Sequence, residues 1–160
     1  MTKTLTVLCM FILLSGFTGS SFGQKVSDKE KQIIEKQVKQ NFHEMIKAAE
    51  DLDYDKLNQG VDDRYNAGFI VNDTYFTRYD SLHTLMKSRA QGITGQSITV
   101  QKEKITVLSD HTVLLTAAGD AVIDIRSGQA LKVKFFWSFV YEKTENSWKV
   151  IYSHQSGSSK

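Results

Sequence analysis

The sequence predicts an α+β domain: a curved antiparallel sheet of four long strands wrapped over N-terminal helices. Three observations predict it. The first half carries apolar residues at helical spacing, whereas the second carries long runs that alternate apolar and polar. The connections between those runs are short, so neighbouring strands are antiparallel and their apolar sides form one surface. The helices of the first half are then the only material that can cover that surface.

Ser27-Asp28-Lys29-Glu30 has the spacing of a capping box and opens the first helix. Ile34, Val38, Phe42, Met45, Ala49 and Leu52 follow at intervals of three and four, which makes one buried face with lysines and glutamates opposite. Asp53 caps a short second helix over 54–58, closed by Gly60. Phe69-Ile70-Val71 before Asn72-Asp73 reads as a short strand and a turn. A third helix over 81–89, with Leu82, Leu85 and Met86 on one side, ends near Gly92.

The turn signals Ser109-Asp110, Ser127-Gly128 and Glu145-Asn146-Ser147 separate strands over 97–108, 111–125, 130–143 and 147–156. Val113, Leu115, Ala117, Ala121, Ile123 and Ile125 share one face of the second. Leu131, Val133, Phe135, Trp137, Phe139 and Tyr141 share one face of the third. Strands of this length must bend to stay on a core, and Ala117-Ala118-Gly119 offers small residues where a bulge would allow it. A sheet bent into a cone leaves a hollow at its open end.

In the last strand, strict alternation puts Trp148, Val150, Tyr152 and His154 on one face and Lys149, Ser153 and Gln155 on the other. Counting across the preceding turn sets His154 beside Trp137 and Tyr152 beside Phe139. A histidine at the end of an apolar stripe suits the rim of a small-molecule pocket.

At 160 residues the chain holds one domain with a real core, over 24–160. Residues 1–23 have the shape of a secretory signal: Lys3, an apolar run over 5–14 broken only by Thr6, and a small, polar stretch ending in Ser21-Phe22-Gly23. The run is half the roughly 20 residues that a spanning helix needs, so no stable membrane association is expected after cleavage. The expected location is periplasmic or extracellular. Cleavage removes Cys9, the single cysteine, and with it disulfides, thiolate metal sites and a cysteine nucleophile. A formal charge of +2 gives no electrostatic case for a nucleic-acid partner. His43, His83 and His111 have no ligand-like spacing, and neither a metal nor another cofactor is expected.

The element order resembles the nuclear transport factor 2-like superfamily, and its SnoaL-like branch in particular. The paired ending carries most of that resemblance: Lys132-Val133-Lys134-Phe135-Phe136-Trp137-Ser138-Phe139-Val140, a short turn, then Trp148-Lys149-Val150 through His154-Gln155-Ser156-Gly157. A similar His-x-Ser-Gly ending follows a Trp-bearing strand in the association domain of calcium/calmodulin-dependent protein kinase II. Leu52-Asp53-Tyr54-Asp55-Lys56-Leu57 is similar to the superfamily's acidic link between its first two helices. The resemblance implies a cone-shaped pocket, and activities that range from ketosteroid isomerases and polyketide cyclases to oligomerisation domains. The isomerases' pocket tyrosine on the first helix has no counterpart here, where Phe42, Met45 and Ala49 face inward. The strand position of their aspartate base corresponds to Val71 or Asn72.

The leading expectation is an exported domain that binds a small, largely apolar molecule. Trp137, Tyr152 and His154 would line the pocket, with Phe42, Phe69 and Tyr65 contributing. The enzymatic alternative is an isomerase or hydrolase with His154 as general base, paired with Asp120 if a bulge at Gly119 turns that carboxylate inward. The third is a homo-oligomerisation module, a homodimer or larger ring built on the sheet's outer face, where Phe136 and Val140 interrupt the polar side. Tyr65, Tyr75 and Tyr79 read as half-buried packing residues with hydroxyls to lend; Arg64, Arg78 and Arg89 are candidates for an anionic ligand, but no Gly-rich loop or helix start accompanies them and a solvated face is the favoured reading.

Overall fold

The computed structural model describes residues 26–145 and 147–159, and the expected signal segment lies outside them. Three helices, α1 (Asp28–Glu50), α2 (Tyr54–Gln59) and α3 (Tyr79–Ala90), pack against one face of a six-stranded sheet. The strands are β1 (Phe69–Val71), β2 (Thr74–Phe76), β3 (Ile93–Val107), β4 (Thr112–Ile125), β5 (Ala130–Lys143) and β6 (Trp148–Ser159), in the order β2-β1-β6-β5-β4-β3. The four long strands are antiparallel as expected. The sheet as a whole is mixed, because β1 joins β6 in parallel and extends it by a hairpin.

Local chemistry explains the helix ends. Ser27 Oγ accepts from Glu30 N while Glu30 Oε2 accepts from Ser27 N, the reciprocal bonds of a capping box. Asp53 Oδ1 accepts from Lys56 N and starts α2, and Gly60 closes it. Helix α3 begins two residues earlier than its own sequence announces. Its cap is remote: Asp63 Oδ2 accepts from Tyr79 N and pairs with Arg78.

The core lies between α1 and the inner face of β3–β6. Val38, Phe42, Phe69, Val113 and Leu115 are wholly buried there, and the Phe42 and Phe139 rings meet at 5.9 Å. Of the three register shifts among the described strands, two position the site. In β3 the register steps from Val100↔Gly119 to Lys102↔Ala118, leaving Gln101 as the extra residue. The bend expected within β4 is therefore made by its neighbour, and β4 keeps its alternation unbroken, with Val113, Leu115, Ala117 and Ala121 all buried. Gly119 is what lets the bulge close. A Cβ there would fall on the carbonyl oxygen of Thr99 and 2.8 Å from Phe135 Cζ.

The second bulge overturns an expectation. In β6 the register steps from Tyr141↔Val150 to Val140↔Tyr152, so Ile151 is the extra residue. Trp148 and Val150 point inward as anticipated. Beyond Ile151 the faces exchange: Ser153 is 2% exposed and inward, whereas Tyr152 and His154 turn to the outer face. His154 pairs with Ser138 and Tyr152 with Val140, each one residue from the expected partner.

Candidate functional site: an apolar hollow beneath the sheet

Between the inner face and the helices lies a cavity of about 320 Å³. That is near the lower end of the range for small-molecule sites. One stripe of α3, Tyr79, Leu82, Met86 and Arg89, forms a wall, since residues spaced by three and four share a helix face. Met45, Ile46 and Ala49 of α1, with Tyr54 and Leu57 of α2, close the helical side. The sheet contributes Phe69 and Val71 of β1, Ile98 of β3, and Trp137 and Phe139 of β5. From β6 come Ser153 and Gln155, the residues that the Ile151 bulge turned inward.

Several polar groups on the lining are already engaged. Gln96 Nε2 donates to the carbonyl of Ala49, and Gln155 Nε2 donates to Ser153 Oγ at 3.2 Å. Glu50 Oε1, at the end of α1, accepts from Ile98 N at 2.8 Å and ties helix to sheet at the cavity edge. The phenols differ: the hydroxyls of Tyr54 and Tyr79 have no hydrogen-bond partner among the described residues. Burial pushes Tyr79 up to about 12 and raises Tyr54 as well, so both stay protonated at neutral pH. Among the described residues, no Asp, Glu, His or Cys lines this cavity.

Of the expected ligand contacts, the structure brings Trp137 and Phe69 to the hollow. Trp137 stacks on Phe135 at 3.9 Å between ring centroids. Phe42 lies in the core and does not line it. Tyr65 is exposed, and its hydroxyl donates to Glu142 at 3.0 Å, away from the cavity. His154 and Tyr152 sit on the far side of the sheet for the reason given above. Asp120 stays outward as well, its Oδ2 accepting from Gln101 Nε2 at 2.7 Å.

Asp120 and His154 thus share a face without forming a pair. Asp120 is opposite Lys134 and His154 opposite Ser138, so two strand spacings and four residues along the strand divide them. On a flat sheet that is roughly 16 Å, too far for one proton to pass between them.

The residues missed from the sequence fall into two groups. Arg89, weighed from the sequence but favoured as a solvated residue, continues the Leu82 and Met86 spacing by one turn. Ser153 and Gln155 were not within reach, because neither Gly nor Pro marks the bulge at Ile151. Among the described residues, no group of three or more His, Cys, Asp or Glu forms a metal-binding cluster. No described helix is long and apolar enough to cross a membrane.

The fold and its internal hollow define a cone of the nuclear transport factor 2-like superfamily. Within it, the chain belongs to the SnoaL-like domain family, whose profile matches residues 38–158. Solved structures agree on the fold. A provisionally named scytalone dehydratase from Novosphingobium aromaticivorans superposes with a TM-score of 0.74 at 8% identity, covering 84% of this chain and 89% of its own. A nuclear transport factor 2-like superfamily protein from Salmonella enterica serovar Typhimurium gives 0.72 at 13%, covering 81% and 94%. The type 3 hexachlorocyclohexane dehydrochlorinase of Novosphingobium barchaimii gives 0.67 at 11%, covering 84% and 91%. No curated protein matches in sequence.

Proposed function

We propose that this chain is an exported SnoaL-like domain that binds a small, largely apolar molecule in the hollow between its sheet and helices. The observation that carries the reading is the cavity itself: about 320 Å³, walled chiefly by aliphatic and aromatic side chains, with a few polar groups. Structures of the same fold carry the names scytalone dehydratase and hexachlorocyclohexane dehydrochlorinase, which supports a small-molecule role. Binding is favoured over turnover by the lining. Its titratable groups are two protonated phenols and a guanidinium, and none of them exchanges a proton readily near neutral pH. The signal-like segment over residues 1–23 supports export.

The test is a thermal-shift screen of small apolar compounds against the wild type and Ala49→Phe, which puts a ring into the hollow. A hit at a hundredfold excess over its Kd should stabilise the wild type by about 2.7 kcal/mol. The shift should vanish in Ala49→Phe. If no compound moves the wild-type melting curve, the reading fails.

A second reading, compatible with the first, is that the outer face pairs with a second copy of the chain. It is favoured by Phe136, 54% exposed in mid-sheet between Ala118 and Ser156, with Val140 and Tyr152 nearby. Sedimentation should show a dimer at micromolar concentration that Phe136→Lys dissociates. A monomeric wild type rules it out.

A further inference from the structure

We propose that the molecule held in this hollow is an amphipathic anion: an apolar body beneath the sheet and a carboxylate paired with Arg89. The inference rests on the binding reading above and adds the ligand's chemical class.

It starts from Arg89. The residue occupies the last turn of α3 and is exposed, yet it also lines the cavity, which places it at the mouth. The other arginines of this region have partners. Arg64 Nε holds Asp62 at 2.7 Å, and Arg78 Nε holds Asp63 at 2.9 Å. The guanidinium of Arg89 makes no ion pair or hydrogen bond with any described residue; the backbone carbonyl of Arg89 is engaged by Gly92 N. A guanidinium presents a planar fork of donors that matches a carboxylate, and the nearby apolar wall weakens competition from water.

The remaining lining points the same way. Among the described residues, no carboxylate lies on the cavity wall to neutralise Arg89. The phenols of Tyr54 and Tyr79 add two hydroxyls that remain protonated and lack partners within the described protein. Gln96 and Gln155 already direct their amide donors to protein oxygens. The guanidinium of Arg89, a donor with no acceptor of its own, therefore favours an oxygen-rich anionic group over a cation, whereas the phenols can serve either sign.

Helix α3 also fixes the direction. Tyr79 and Arg89 are ten residues apart on one helix face, a rise of about 15 Å, with Leu82 and Met86 between them. A ligand with its charge at Arg89 would lay its hydrocarbon along Met86 and Leu82 towards Trp137 and Phe69. Its carboxylate would stay near water, which avoids the cost of burying an ion in the apolar interior.

The test compares octanoate with octanol on the purified protein, using tryptophan emission and calorimetry. Arg89→Gln should weaken octanoate about tenfold and leave octanol within twofold, while Arg89→Lys should retain part of the octanoate affinity. Thermal melting of each variant checks folding, which an exposed substitution should preserve. If Arg89→Gln changes both ligands equally, or neither, the anionic assignment is overturned and the cavity reading stands. If the wild type binds neither ligand, both fall.

Discussion

Replacing Gly119 by alanine tests how the sheet comes to enclose a hollow. The glycine sits in β4 opposite Val100, next to the Gln101 bulge, where β3 turns over it. An added methyl would overlap the Thr99 carbonyl oxygen and crowd Phe135 Cζ at 2.8 Å. The oxygen belongs to a strand backbone, so relief requires β3 to move and its ladder to β4 to loosen. Overpacking a core costs about 1–3 kcal/mol, and a clash with fixed backbone belongs at the upper end, about 3 kcal/mol. For a domain of this size that lowers Tm by roughly 12 °C. Urea titration followed by circular dichroism measures it, with an unchanged slope showing that the native state, not the unfolded one, was affected. Gly128→Ala is the control. Its φ is 85° with nothing within 4 Å, so it should lose only about 1 kcal/mol, through backbone strain. A Gly119→Ala loss below about 1 kcal/mol would refute the account of how the sheet bends.

Other outcomes follow from the same geometry. His154→Ala should leave stability within about 0.5 kcal/mol and ligand affinity within twofold, because the ring is exposed on the face away from the cavity; calorimetry checks both. Tyr141→Phe should raise stability by about 1 kcal/mol in urea titration. Its hydroxyl is buried without a hydrogen-bond partner among the described residues, and the ring contacts survive the change. Glu103→Gln should flatten the acid limb of the stability–pH curve. Burial opposes the charge on Glu103, but hydrogen bonds from Lys39 and His43 outweigh it and hold the carboxyl below its usual range. A depressed folded-state value stabilises above the unfolded-state range, about pH 4.3, and the benefit is lost as pH falls through the folded-state value. An acid limb of equal steepness in the variant would contradict this.

Periodicity carried the fold further than the site. The capping box, the Ile34-Val38-Phe42 stripe and the alternation of β4 and β5 are local patterns, and each reads directly into the observed elements. The start of α3 does not, because its cap comes from Asp63, sixteen residues away in sequence. The site depended on which residues of β6 face inward, and one extra residue decides that. Ile151 is β-branched and apolar, suited to an unbroken strand, so nothing local marks it as the bulge. Carrying the alternation through it exchanged Ser153 and Gln155 for Tyr152 and His154, and so placed a histidine at a rim that it does not approach. Trp137 and Phe69 survived because their strands keep register up to the cavity.

The side of the sheet that receives a ligand is decided most directly by methionine methyl NMR. Met45 and Met86 both line the inner cavity, whereas His154 lies on the opposite face. On titration with octanol, the Met45 and Met86 methyl resonances should shift saturably while the ring protons of His154 stay in place. Movement of the His154 ring with both methyl signals unchanged would contradict the account.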